Sequence, residues 1–180
     1  GGMLMSNDEE MLKKVRFWST QSRENERHYQ HNEIGYNYRM SNISAGIGRG
    51  QLKVLDQRVS KKREIYNTYK DGFSDISYIS MAPETDDCIS NHWLSCIILS
   101  EDSPVKALDV IIALEKENIE CRPIWKPMHM QPVFSDCDFV TAYEKAASED
   151  IFARGICLPS DTKMTKEEQQ RVIDSIKKLF

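Results

Sequence analysis

No apolar run in this sequence approaches the roughly 20 residues needed to span a bilayer. Its opening, Gly1-Gly2-Met3-Leu4-Met5, lacks the basic region and long apolar stretch of an export signal. These absences predict neither a membrane protein nor a secreted one. There is no C-x-x-C pair. The five cysteines (Cys88, Cys96, Cys121, Cys137 and Cys157) are odd in number and far apart, which argues against a disulfide framework and against a zinc site. They read as reduced, structural thiols of a cytoplasmic protein, and no metal is expected. A block of positive charge is missing too: Lys and Arg number 24 against 28 Asp and Glu, for a net charge of -4, and the basic residues are scattered. A surface that tracks long nucleic acid is therefore not expected, while a small anionic ligand stays open. No internal repeat or low-complexity segment is present.

What is there suits a soluble globular chain. With 180 residues, 40% of them hydrophobic, and a mean hydropathy of -0.55, it can bury one good core. Met3-Leu4-Met5-Ser6 reads as a short strand, so the sequence is expected to begin inside a fold. Ser6 or Asn7 followed by Glu9 or Glu10 is a capping-box signature. Met11, Leu12, Val15 and Trp18 then recur at helical spacing, predicting a helix from about Asp8 to Ser19. Gln21 to Asn32 is polar and aperiodic and is expected to be irregular. Ser41 can cap a long helical stretch that reaches about Asp71, with room for a bend. Its first half carries Gly46, Gly48 and Gly50, each costing about 1 kcal/mol relative to Ala in a helix interior. Such glycines call for the close approach of another backbone or a ligand. The Arg58, Lys61, Lys62 and Arg63 group reads as a solvated face.

After Gly72 the elements shorten. Ile76 to Ser80 and His92 to Leu99 read as strands, the second a candidate for a central position. A helix is expected between Asp102 and Asn118, with Ser103 as cap and Pro104 in its first turn. A strand follows over Ile119 to Trp125, then a proline-punctuated loop, a helix around Thr141 to Glu149 and a strand around Gly155 to Leu158. Thr165 with Glu168 caps a terminal helix whose apolar face is Val172, Ile173, Ile176 and Leu179. This order predicts a compact α+β domain, mostly an antiparallel sheet with helices on one side. The organisation expected is 1–40, 41–74 as a long helical segment, and 75–180 as the α+β domain.

Two strings carry candidate chemistry. The first is His31-Asn32-Glu33-Ile34-Gly35-Tyr36-Asn37-Tyr38-Arg39-Met40-Ser41-Asn42-Ile43, which runs into the glycine-bearing helix. Backbone N–H groups at a helix start, with Asn37 as donor and Arg39 as charge, can form an anion site. The same residues can equally form a tight turn in which Asn and Ser serve only as caps. The second string is Arg122-Pro123-Ile124-Trp125-Lys126-Pro127-Met128-His129-Met130-Gln131-Pro132. Three prolines stiffen an exposed loop, and Arg122, Lys126 and His129 stand around Trp125. That make-up suits a phosphate-bearing ring substrate, because little loop entropy remains to be lost on binding. Proline-stiffened packing with surface charges is the other reading.

Both strings, with Asn91-His92-Trp93-Leu94-Ser95-Cys96 between them, resemble the C-terminal half of the DegT/DnrJ/EryC1/StrS sugar aminotransferases over essentially the whole chain. The resemblance implies the small C-terminal domain of the aspartate-aminotransferase fold (the type I pyridoxal-phosphate fold). It implies that 1–40 is a remnant of the large cofactor-binding domain with an active-site loop, and that the 41–74 helical segment lies between domains. It implies pyridoxal 5'-phosphate as cofactor, glutamate as amino donor, a nucleotide-linked keto-sugar as substrate and a homodimer with shared active sites. Residue by residue, Asn37 would reach the phosphate of the partner subunit's cofactor, with Tyr38 and Arg39 as weaker candidates. His129, Lys126, Trp125 and Arg122 would lie by the sugar nucleotide, bordered by Asn91 and Trp93, with His31 also on the substrate side. The W-K-P-M-H form is similar to enzymes making 4-amino sugars on a UDP carrier, as in bacillosamine-type pathways.

None of Lys13, Lys14, Lys53 or the later lysines matches the family's Schiff-base lysine. The chain is therefore expected to lack that lysine and to be inactive alone. A sugar 3-dehydratase, in which histidine replaces the lysine, and a non-catalytic oligomerisation or binding module remain alternatives. Either way, exposed apolar surface relieved by self-association is expected.

Overall fold

The computed structural model describes residues 2–142 and 146–180. The chain forms two compact units, Gly1–Leu55 and Asp56–Phe180.

In the first unit, α1 spans Glu9–Ser19 and α2 spans Asn42–Leu52. The α1 cap is Asp8, one residue after Asn7 and two after Ser6. Its carboxylate accepts from Met11 N–H at 3.0 Å, while Ser6 Oγ accepts from Asp8 N–H at 3.1 Å. Ser41 caps α2 by accepting from Ser44 N–H at 3.2 Å. The strand expected at Met3-Ser6 is absent: a strand needs a neighbouring ladder, none pairs with it among the described residues, and Met3 and Met5 are exposed. The long helical stretch is two helices, since Lys53 and Val54 separate α2 from α3 (Leu55–Gly72). Among the described residues, no atom comes within 4 Å of a Cβ built at Gly46, Gly48 or Gly50. The close neighbour that these glycines predict is thus not supplied by the described residues of the first unit.

The second unit is an α+β domain on a four-stranded, fully antiparallel sheet in the order β1-β2-β4-β3. Its strands are β1 Ile79–Met81, β2 Ser95–Leu99, β3 Arg122–Pro123 and β4 Gly155–Leu158. Strand β2 is central, as its nearly continuous apolar run predicts. It begins three residues after His92, whose φ of 45° breaks extended geometry. Strand β3 is shorter than expected because Pro123 brings no N–H to the ladder. Beyond it the proline loop winds into two 3-10 turns, Met128–Met130 and Pro132–Phe134.

Helix α4 covers Ala107–Lys116, a shorter span than expected. Ser103 Oγ instead closes a local turn by accepting from Val105 N–H at 3.3 Å, and Asp109 accepts from Lys106 N–H at 3.1 Å at the true start. The helix expected around Thr141 to Glu149 starts later and runs further, as α5, Ala147–Arg154; Thr141 and Ala142 are not helical, and residues 143–145 of that expectation lie outside the described residues. Gly155 joins α5 to β4 where a Cβ would fall 2.4 Å from Ile124 Cδ1 and 2.5 Å from Ile151 O, so only glycine fits. Helix α6, Lys166–Lys177, carries the predicted capping box: Thr165 Oγ1 accepts from Glu168 N–H and Glu168 accepts from Thr165 N–H.

The core is one cluster. Ile97 and Leu99 of β2 and Ile156 and Leu158 of β4 meet Ile65, Tyr69 and Phe73 of α3 and its end, Val110 and Leu114 of α4, and Val172, Ile173 and Ile176 of α6. Most polar groups that enter it are hydrogen-bonded, although the buried Ser95 hydroxyl has no partner among the described residues. Tyr69 donates to Pro159 O at 2.8 Å, Gln169 Nε2 to Ile65 O at 2.8 Å, and Ser95 N–H to Ser160 Oγ at 2.9 Å. Leu114 has no solvent exposure, so Leu114→Ala should destabilise the second unit by about 2–5 kcal/mol. Urea unfolding monitored by circular dichroism should show a lower midpoint with an unchanged slope.

Candidate functional site

In the first unit the string from His31 to Asn37 is shaped by a corner after α1. Gln21 and Ser22 take left-handed φ values of 73° and 48°. Gly35 crosses this corner so closely that a Cβ would lie 2.2 Å from Gln21 C and Ser22 N, which explains the glycine. The chain then runs back beside the end of α1. Tyr36 N–H donates to Trp18 O at 2.7 Å, Gln21 N–H to Tyr36 O at 2.9 Å and Tyr38 N–H to Ser19 O at 3.0 Å, with Asn37 bridged to Thr20.

An open hollow of about 610 Å³ results, lined among others by His31, Asn37 and Glu33. His31 Nδ1 lies 2.9 Å from Gln21 O and 3.3 Å from Ser22 O; because carbonyls only accept, Nδ1 carries a proton. Tyr38 does not line the hollow; its ring stacks on that of Tyr36, 5.3 Å away. The Asn37 amide and Arg39 guanidinium make no hydrogen bond among the described residues and are exposed. Both are donors left open for an anion.

Glu33, within the quoted string but passed over as a site residue, anchors this loop. It accepts from Trp18 Nε1 at 2.7 Å and pairs with Lys14. The bond to Lys14, then that to Trp18, holds its carboxyl below the ordinary 4.5. No sequence spacing announces a contact 19 residues apart.

In the second unit Arg122, Trp125 and Lys126 gather at one cavity of about 580 Å³, whose wall also holds Phe152, Cys157 and Ser160. Trp93 stacks on Trp125 with centroids 5.7 Å apart, and the two indoles are 61% and 63% exposed, a large apolar surface left open to solvent. Trp93 is fixed through its backbone: its N–H donates to Asn91 Oδ1 at 3.1 Å and its carbonyl accepts from Lys62 at 2.9 Å. Asn91 therefore positions Trp93 and is not itself a cavity wall. Between them, His92 stacks on Tyr66 at 3.7 Å.

Arg122 is already paired with Glu120, an i,i+2 contact along the edge strand, whereas Lys126 makes no hydrogen bond among the described residues. His129 does not line the cavity. Its Nε2 lies 2.8 Å from Glu149 Oε1 and its ring lies 3.6 Å from that of Phe139. Sequence reasoning missed Glu149, and a partner 20 residues away on another helix leaves no local signal. The described residues contain no group of three or more His, Cys, Asp or Glu side chains able to hold a metal ion, and no helix long and apolar enough to cross a membrane.

The sequence pattern of the DegT/DnrJ/EryC1/StrS aminotransferase family matches residues 1–177. The chain belongs to this family. EpsN of Bacillus subtilis strain 168, which carries the name of a pyridoxal phosphate-dependent aminotransferase, is 48% identical over 100% of this chain and 46% of its own length. GDP-perosamine synthase of Escherichia coli O157:H7 is 33% identical over 100% of the chain and 47% of its own length. The UDP-4-amino-4,6-dideoxy-N-acetyl-beta-L-altrosamine transaminase of Helicobacter pylori is 27% identical over 100% and 48%. Among solved structures, Spr1654 of Streptococcus pneumoniae in its PLP form matches with a TM-score of 0.81 at 24% identity, covering 99% of this chain and 45% of that one. The fold is that of the small C-terminal domain in family aminotransferases. The chain spans about half the length of the curated relatives it matches.

The Glu33 anchor has a pH signature. A carboxylate with a depressed pKa keeps its stabilising contact above the ordinary value and loses it as pH falls through the lower one. The Trp18 indole N–H resonance should therefore hold steady from pH 7 to 4.5 and move only below 4.5. Glu33→Gln should shift that resonance at neutral pH and remove the acid transition.

Proposed function

We propose that this chain is the C-terminal part of a pyridoxal-phosphate-dependent aminotransferase that moves an amino group from glutamate to a nucleotide-linked 4-keto-6-deoxy sugar for cell-surface polysaccharide or glycan synthesis. The observation that carries the sugar-nucleotide half of this reading is the cavity where Arg122 and Lys126 stand beside the exposed Trp93–Trp125 stack. Two cations can meet a diphosphate while a flat indole pair takes a ring. His129, whose Nε2 donates to Glu149, leaves Nδ1 to accept from a sugar hydroxyl. The stiff loop holds these groups ready before substrate arrives. Names of relatives include both GDP- and UDP-linked sugars; the W-K-P-M-H form favours UDP.

In the same reading, residues 1–40 are a piece of the large domain with its active-site loop, and 41–74 a segment between domains. The unpaired Asn37 amide suits a phosphate oxygen of the cofactor, held for the partner subunit of a homodimer, with Arg39 and Tyr38 beside it and His31 toward the substrate. Pyridoxal phosphate, when bound, supplies the electron sink that lets a proton leave the substrate carbon. The residues of this chain bind and orient: Asn37 fixes a phosphate, and Arg122, Lys126 and the indoles fix the nucleotide. No lysine here matches the family's Schiff-base position, so the chain alone is expected not to turn over. The reaction belongs to the full-length, cytoplasmic protein.

The test is steady-state kinetics of the full-length protein with glutamate and UDP-, GDP- and dTDP-linked 4-keto sugars, following 2-oxoglutarate. Turnover with the UDP sugar is expected. Lys126→Ala and Trp125→Ala should each raise KM about tenfold or more while changing kcat less, since each removes a contact of about 1–3 kcal/mol. Asn37→Ala should weaken cofactor retention and leave the KM for the sugar nucleotide nearly unchanged. Turnover with the GDP sugar alone would overturn the carrier assignment, and no 2-oxoglutarate with any keto sugar would overturn the reaction.

A further inference from the structure

Cys96 and Cys157 are directly opposite one another across the two central strands, with their sulfurs 3.6 Å apart. The ladder shows which kind of pair this is. Cys96 O accepts from Ala82 N–H, on the β1 side, while Gly155 O accepts from Ile124 N–H, on the β3 side. In an antiparallel sheet the N–H and C=O of one residue point to the same neighbour, so Cys96 bonds away from β4 and Cys157, two residues from Gly155, bonds away from β2. The two are thus a non-hydrogen-bonded pair, the arrangement in which opposed side chains stand closest, with Cα atoms about 4.5 Å apart, inside the span a disulfide bridges. Alternation puts both sulfurs on the face opposite Ile97 and Ile156, outside the apolar core. Cys157 also lines the 580 Å³ cavity, and Cys96 is half-buried, which gives a small reagent a path to the pair.

We infer that Cys96 and Cys157 form a dithiol modification site that a hydroperoxide oxidises to an intramolecular cross-strand disulfide. Cys157 is the attacking sulfur, because it lines the cavity and Cys96 does not. Its thiolate takes one oxygen from the hydroperoxide; for hydrogen peroxide the O–O bond breaks and the departing hydroxide is protonated to water. The Cys96 sulfur, losing its proton, then attacks the sulfenic sulfur and displaces a second hydroxide, which leaves as water. Two thiols are oxidised, one peroxide is reduced to two waters, and the sulfurs close from 3.6 Å to about 2.05 Å. The remaining cysteines differ: Cys121 packs with the core and, though it lines the same cavity, has no cysteine opposite it, and Cys88 and Cys137 are exposed. The site does not depend on the proposed transamination.

The experiment is to treat the chain with equimolar hydrogen peroxide, alkylate the free thiols, and map peptides by mass spectrometry before and after dithiothreitol. The expected result is one reducible link between the peptides holding Cys96 and Cys157, with Cys121 alkylated. In Cys96→Ser the link should vanish, and dimedone should label Cys157 as a persistent sulfenic acid. The native-chain map stands even if that variant does not fold. Recovery of Cys96 and Cys157 as alkylated thiols while Cys88 and Cys137 have reacted would overturn the inference. So would their recovery as sulfinic or sulfonic acids without a link.

Discussion

The antiparallel pairing of β2 with β4 is the constraint on which the second unit depends. It sets Ile97 beside Ile156 and Ser95 beside Leu158, giving one apolar face that α3, α4 and α6 can cover. A one-residue slip would turn those side chains to the other face and dissolve the core. The same register fixes the opposite face. Arg122 of β3 pairs with Cys157 of β4, so the edge strand can deliver Arg122, Trp125 and Lys126 to a single cavity. Packing and candidate chemistry thus share one set of backbone hydrogen bonds, read from two sides.

The first unit depends on a smaller device. Two left-handed residues, Gln21 and Ser22, turn the chain after α1, and Gly35 packs against that corner at a distance no side chain allows. With the return fixed, Glu33 links Trp18 and Lys14, while Asn37 and Arg39 remain exposed with no intrachain partner among the described residues. Leaving polar donors free costs little at a surface and favours an anionic ligand.

Elements with strong local signals were legible in the sequence. The Thr165–Glu168 box and its apolar face mark α6, and the run at Gly155 to Leu158 marks β4 to the residue. Where tertiary context decided, the sequence misled. Met3-Ser6 has strand character without a ladder, Ser103 spends its hydroxyl on a turn ahead of α4, and Pro123 cuts β3 short. The candidate site divides in the same way. Arg122, Trp125 and Lys126 come together because they are near neighbours on a stiff loop. Trp93 joins them only through stacking across the fold, and the hold of Glu149 on His129 has no trace in spacing. Asn91 accepts from the Trp93 N–H and so turns the backbone that carries that indole.

In the proposed function, the exposed indole pair of the second unit receives the nucleotide sugar. This is tested most directly by titrating the chain with a UDP-sugar and following its three indole N–H resonances, from Trp18, Trp93 and Trp125. The Trp93 and Trp125 resonances should shift together and saturate while Trp18, held by Glu33, stays in place. Movement of Trp18 alone, or of none of the three at saturating ligand, would contradict it.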